Sequence, residues 1–181
     1  MRARSLKALP GGEKVDLVNE KDAVVGSSSV LECLSKGLLH RAVAVLVLRS
    51  DGRFLLQRRS TKDRWHPGKW TISSTGHVKQ GESYDKAAAR ELQEELGLTG
   101  SLERVGKYLL PPLHSTGLTE WEWVAFYVTQ TDSPCTVDPV ELEEVREYEE
   151  SALRTLLQGE ELTPDAGILI GGYLRNPSRR A

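Results

Sequence analysis

Glu91, Glu94 and Glu95 stand at i, i+3 and i+4 in the segment Arg90-Glu91-Leu92-Gln93-Glu94-Glu95-Leu96. Helical winding at about 100° per residue gathers three such carboxylates into one arc of roughly 100°. Ala88, Leu92 and Leu96 fall on the arc beside it, so the acidic face adjoins the side that seeks the core. Three like charges so placed repel one another by about a few tenths of a kcal/mol per pair even when solvated. A hard dication such as Mg²⁺ takes carboxylate oxygens together with substrate phosphates and would turn that repulsion into a binding site. Arg90, four residues before Glu94, is placed to orient that carboxylate. On these residues alone, a solvated surface helix is the better explanation of the pattern, so the surrounding chain has to decide.

The helix that must carry them spans about Ser83–Leu96 and stops at Gly97, with the core AAARELQEEL made of strong helix formers. Upstream, Ala42-Val-Ala-Val-Leu-Val-Leu48 is an unbroken, β-branched apolar run suited to a strand buried on both faces. Ser50-Asp51-Gly52 turns the chain, and Phe54–Gln57 returns as a hairpin partner. A polar loop with Pro67 and Gly68 leads to a short strand at Trp70–Ser73. The stretch KVDLVNEKDAVVG from Lys14 reads as two strands around a turn. Ser29 and Glu32 form a candidate capping box for a short helix ended by Gly37. Strands are expected near 102–110, 121–128 and 145–148, with a Pro111-Pro112 loop between the first two. Helices are expected at Ser151–Gln158 and after Thr163, where Pro164 takes the first position. This mixture predicts one α/β (α+β) domain over 14–176, a flexible lead-in at 1–13 and a frayed tail at 177–181.

Composition narrows the function classes. The chain of 181 residues carries 24 Lys plus Arg against 26 Asp plus Glu, so no global field draws in nucleic acid. No apolar run approaches the ~20 residues that span a bilayer. The basic start MRARSLKALPGG lacks the apolar core of a secretory signal. Two cysteines, Cys33 and Cys135, form no disulfide framework, which points to a reducing cytoplasm. The expected partner is a small molecule, not a nucleic acid or a membrane.

Gly76, five residues, Glu82, seven residues, then Arg90-Glu91-Leu92-Gln93-Glu94-Glu95-Leu96-Gly97-Leu98 resembles the Nudix box at every defined position over 23 residues. The resemblance implies a Nudix fold, a mixed β-sheet sandwiched between α-helices, with the box as loop, helix and loop. It implies that Glu91, Glu94 and Glu95 hold Mg²⁺ or Mn²⁺, with Glu82 as a supporting carboxylate and Arg90 orienting a glutamate. The implied reaction is water attack on a phosphorus of a nucleoside diphosphate joined to another moiety. A box glutamate, Glu141 or Glu144 is the candidate general base. Arg58, Arg59 and Lys69, in the loop beside the box, are candidate phosphate contacts. The resemblance also leaves room for a homodimer and for a Nudix-fold binding module without catalysis.

The stretch HRAVAVLVLRSDGRFLLQRRS and the following WHPGKWTISSTGHVKQGES also resemble isopentenyl-diphosphate isomerase, a branch of the same superfamily. That resemblance implies a second divalent-ion site, with His40 and His77 matching two histidines and Glu120 and Glu122 matching two glutamates. Residues two apart on one strand face the same way, so Glu120 and Glu122 are expected to converge. The third histidine position holds Cys33, a softer ligand that would tilt the site toward zinc. Thr75 stands where the isomerase cysteine would be, and its hydroxyl does not ionise near neutral pH as a thiol does. No tryptophan follows position 123, and Asp165 falls near where a late isomerase tryptophan would lie. The combined pattern is that of an isomerase-like subgroup of Nudix hydrolases.

Overall fold

The computed structural model describes residues 12–63, 65–137 and 142–176. Strand β3 (His40–Leu48) is the strand around which the rest is assembled. Its Ala42, Ala44 and Leu46 enter one core cluster, and its Val43, Val45 and Val47 enter another. This double burial is what the unbroken apolar run predicts, since a strand covered on both faces has no polar side to alternate. One edge of β3 pairs in parallel with β10 (Glu122–Gln130), from Glu122↔His40 to Gln130↔Leu48. The other edge is shared by β1 (Lys14–Val18), β6 (Ser74–His77) and β4 (Phe54–Arg59), all antiparallel. Around these, β2 (Val24–Ser29) extends β1, β7 (Glu103–Leu109) extends β10, and β5 (Trp70–Thr71) and β11 (Leu142–Tyr148) pair with β4.

Helix α2 (Tyr84–Leu96) packs Ala87, Ala88, Leu92 and Leu96 on the valine side of β3. On the alanine side lie α4 (Pro164–Leu174) and Leu153 of α3 (Glu150–Leu156). Helix α1 (Val30–Lys36) closes a small third cluster against Val15. The product is a mixed sheet between helices, the α/β (α+β) class expected. No helix among the described residues is long and apolar enough to cross a membrane.

Some expectations change. Ser-Thr-Gly-His carries no apolar pattern, yet it forms strand β6, its backbone ordered by the ladder to Ala42–Val45. The stretch after the expected Pro111-Pro112 loop forms a hairpin of β8 (Leu113–Ser115) and β9 (Leu118–Glu120). Ser29 caps α1 by accepting from the Glu32 N–H, yet the Glu32 carboxylate bonds Ser28 and Lys36, so the reciprocal half of the capping box is absent. The lead-in at 1–13 lies outside the described residues except for Gly12 and Glu13, and the tail at 177–181 lies outside them too.

The β1–β2 turn is tied down by Asp22, whose side chain is 7% exposed. Its carboxylate accepts from Arg41 Nε at 2.6 Å, Lys107 Nζ at 2.5 Å and the Tyr84 hydroxyl at 3.1 Å. Burial alone would raise its pKa, but the two cations outweigh burial and hold it below the usual carboxylate range. A depressed folded pKa means that this stabilisation is complete above the unfolded value and is lost as pH falls through the folded one. We expect Asp22→Asn to destabilise the protein by about 1–2 kcal/mol at pH 7. Urea denaturation at pH 7 and near pH 3 checks this, because the difference from wild type should shrink at the lower pH. An equal difference at both values would refute it.

Candidate active site

Helix α2 begins at Ser83, whose side chain accepts from the Lys86 N–H, and ends at Gly97 in the left-handed conformation with φ 66°. Both ends are fixed by local chemistry, so the phase of its acidic face is fixed as well. Glu91 is 2% exposed and Glu95 9%. The Glu94 side chain is 29% exposed. The buried pair lies against β6. A Cβ on Gly76 would overlap the Glu91 carboxyl, so only glycine lets the helix lie this close to the strand. Gly76→Ala should therefore cost about 1–3 kcal/mol through overpacking and displace Glu91. Thermal denaturation with a parallel Mn²⁺ titration checks this; unchanged Mn²⁺ affinity would contradict it.

Arg90 is the clamp of the site. Its Nε and Nη2 grip the two oxygens of Glu82 at 3.0 and 2.9 Å, and Nη1 donates to Glu91 Oε1 at 2.5 Å. Nη2 also donates to the His77 carbonyl at 3.0 Å, whereas Glu94 Oε2 is 3.5 Å from Nη1. The spacing rule pointed to Glu94 as the partner of Arg90; the shorter contacts are to Glu82 and Glu91. Burial pushes the Glu82 pKa up, but the Arg90 hydrogen bonds outweigh it and hold Glu82 low. Glu82 Oε2 also accepts from the Lys79 N–H at 3.1 Å, so Glu82 serves as the anchor of Arg90. On the other flank, Glu95 Oε2 accepts from the Thr75 N–H at 3.1 Å and from Gln57 Nε2 at 3.2 Å. The donor set is all carboxylate oxygen, two members of it are held by fixed donors, and the third is open to solvent. Such hard oxygens fit Mg²⁺ or Mn²⁺.

A second cluster lies across β6. One ring nitrogen from each of His40 and His77 and a Glu122 oxygen all fall within 4.8 Å of one another. His40 Nδ1 lies 2.8 Å from the Leu38 carbonyl, which makes Nδ1 a donor and turns Nε2 to the cluster, where Glu122 favours the protonated ring. Glu122 Oε1 stands 3.2 Å from His40 Nε2 and 3.4 Å from His77 Nε2. Burial opposes its charge, yet the two imidazoles hold its pKa down to about 2. Two nitrogens and one carboxylate, with His40 and Glu122 buried and His77 partly exposed, suit a borderline divalent ion.

Glu120 stands beside this cluster and is not one of its three gathered residues. It ends β9 while Glu122 begins β10, so alternation along a single strand does not relate them. Burial, then the charges of Glu122 and Asp165, push the Glu120 pKa up. Asp165, at the start of α4, is raised by burial and by Glu122 in the same way, against a hydrogen bond to Thr163. Glu120 and Asp165 thus edge the cluster that Glu122 centres. Cys33 is not among the three residues so gathered: the thiol is packed with Val15, Val30 and Leu34, and burial, then the charges of Glu32 and Glu122, push its pKa up to about 11.

Of the basic residues expected in the loop beside the box, Arg58 and Arg59 instead end β4, held there by its ladders, and their side chains brace the loop that follows. Arg58 Nε donates to the Gly68 carbonyl at 3.0 Å, and Arg59 donates to the Trp65 carbonyl and to Asp63, both at 2.7 Å. Lys69 is half-buried in the same loop. Glu144 lies on β11, opposite Arg58, with its carboxylate on Arg146 at 2.5 Å. Glu141 falls outside the described residues. Gln57 was missed, although a lone amide inside Phe-Leu-Leu-Gln was the visible signal.

Comparison with known proteins agrees with this architecture. The NUDIX domain family model matches residues 38–166. An isopentenyl-diphosphate Delta-isomerase of Serratia proteamaculans is 38% identical over 64% of this chain and 65% of its own length. One from Nocardia farcinica is 35% identical over 81% of this chain and 85% of its own. An uncharacterized Nudix hydrolase of Pseudomonas aeruginosa is 30% identical over 77% of this chain and 80% of its own. Among solved structures, a Deinococcus radiodurans protein superposes with a TM-score of 0.71 at 23% identity, covering 87% of this chain and 97% of that one. With its box helix against β6 and relatives under both names, the chain belongs to the NUDIX family, in a subgroup similar to the isopentenyl-diphosphate isomerases.

Proposed function

We propose that this protein is a divalent-metal-dependent hydrolase that cleaves the diphosphate linkage of a nucleoside diphosphate derivative by water attack on phosphorus. The observation that carries this reading is the carboxylate face of α2 held against β6, with Glu91 and Glu95 oriented by fixed donors and Glu94 open to solvent. Mg²⁺ or Mn²⁺ bound there would neutralise charge on the phosphates and raise the nucleophilicity of water. Glu91, Glu94 and Glu95 would hold the ion. Arg90, anchored by Glu82, keeps Glu91 turned toward it. Glu144 is a candidate proton acceptor on the neighbouring strand. Arg58, Arg59 and Lys69 line the loop that a phosphate would pass. Incubation with Mg²⁺ and a panel of nucleoside diphosphate derivatives should release nucleoside monophosphate; no product from any member would oppose the reading.

A second reading is favoured by one specific observation. His40, His77 and Glu122 are assembled as a candidate site for a second divalent ion, and relatives at 35 and 38% identity are named isomerases. Isomerisation of an allylic diphosphate needs two groups that exchange protons with carbon. Thr75 lies opposite Ala44, on the face of β6 that carries His77, and an alcohol there is a poor acid–base group. In deuterated water, the hydrolase reading predicts no isotope in the carbons of isopentenyl diphosphate. Incorporation would establish the isomerase instead. A binding module without catalysis would show ligand-induced stabilisation without turnover.

A further inference from the structure

We infer that Gln57 is a positioning residue for Glu95: its amide N–H holds one carboxylate oxygen and so sets how that carboxylate is presented to the divalent ion. The inference rests on the metal-dependent hydrolase reading of α2. Gln57 sits in the middle of β4, with Thr71 across one edge and Val145 across the other, so its backbone is fixed by two ladders. It is 2% exposed, the one amide in a strand whose neighbours Phe54, Leu55 and Leu56 belong to the core. Its Nε2 donates to Glu95 Oε2 at 3.2 Å, and the Thr75 N–H donates to the same oxygen at 3.1 Å. Two donors from two different strands, β4 and β6, thus fix one oxygen of a carboxylate that α2 supplies.

The amide cannot be reversed, because the turned group would set its carbonyl oxygen against the carboxylate. In the orientation present, Gln57 Oε1 is buried and has no hydrogen-bond partner. Packing alone gives no reason for a buried amide with an unmatched carbonyl, since a leucine or methionine would fill the space without that penalty. The N–H on Glu95 supplies the reason. Residues that orient a metal ligand through its second atom commonly change metal affinity by about 10–100-fold when removed.

The opposed signs give the test. Gln57→Met keeps the length of the side chain, removes the donor, and also removes the unmatched carbonyl. Free Mn²⁺ measured by electron paramagnetic resonance should show about 10–100-fold weaker binding to the variant at the site that Glu94→Gln removes, which separates it from any ion on His40, His77 and Glu122. The Tm in EDTA should stay level or rise, kcat should fall with little change in KM for substrate, and excess Mn²⁺ should restore part of kcat. A purely structural Gln57 predicts the reverse, a lower Tm in EDTA with unchanged Mn²⁺ affinity in the folded fraction, and that result overturns the inference. If Gln57→Met does not fold, Gln57→Leu is read by the same criteria. Wild-type protein that binds no Mn²⁺ overturns the hydrolase reading and the inference with it, whereas wild-type binding with an unaffected variant overturns the inference alone.

Discussion

Glu94→Gln should abolish divalent-metal-dependent cleavage of a nucleoside diphosphate derivative while leaving the fold intact. Glu94 is the member of the triad whose side chain reaches solvent, at 29% exposure, and its nearest cation, Arg90, is 3.5 Å away. Removing its charge strips a ligand without opening a cavity, and substitutions at such places usually change stability by about 0.5 kcal/mol or less. The rate effect should be far larger. A divalent ion contributes several kcal/mol of transition-state stabilisation in phosphoryl chemistry, and about 4 kcal/mol corresponds to roughly a 10³-fold loss. The same change at Glu91 or Glu95 would mix catalysis with stability, because those carboxylates also bond Arg90 and the Thr75 and Gln57 N–H groups. Initial rates across a Mg²⁺ series, beside thermal denaturation of both proteins, separate the two effects. A folded variant with near wild-type turnover would remove Glu94 from the machinery.

Arg90→Met should give the largest loss of stability of any single change at the site. One guanidinium faces Glu82, Glu91 and Glu94, and its side chain is only 18% exposed. Taking the cation from a buried pair costs about 3–5 kcal/mol because the partner charge stays behind. Partial solvent access at Glu82 and Glu94 screens the remainder, so we expect about 2–4 kcal/mol here. At roughly 2–4 °C per kcal/mol for a chain of this size, Tm should fall by about 10 °C. Lysine should be a poor substitute, since an ammonium cannot fork Glu82 while reaching Glu91 and the His77 carbonyl. Excess Mn²⁺ should recover part of the loss, because an ion among the carboxylates supplies the missing positive charge to the folded state alone. Differential scanning calorimetry with and without Mn²⁺ measures both quantities. A Tm within 2 °C of wild type in EDTA would show that the acidic cluster does not need its arginine.

What could be read in advance was whatever local spacing dictates. The acidic face of α2, its Ser83 and Gly97 ends and the two-sided burial of β3 follow from helical and strand periodicity. Features set by partners far along the chain could not be read so. Strand β6 has no apolar pattern and exists because β3 supplies its hydrogen-bond partners. The firmest hold on Arg90 comes from Glu82, across the loop before the helix, while the i+4 rule singled out Glu94. Glu120 and Glu122 are two residues apart, but Trp121 separates two strands there, so alternation does not apply. Cys33 occupied a candidate ligand position in the sequence, and the amphipathic turn of α1 buries it among apolar side chains instead. His40 and His77 come together because β3 and β6 are neighbours; residue spacing does not show this, and in the sequence only the resemblance to the isomerases put them in one site.

The claim on which all of this depends is that the acidic face of α2 is a cation site. Anomalous diffraction from crystals soaked in MnCl₂ tests it most directly. The account predicts a manganese peak among Glu91, Glu94 and Glu95, absent in Glu94→Gln crystals treated alike. Manganese at His40, His77 and Glu122 alone, with nothing on the α2 carboxylates, would contradict it.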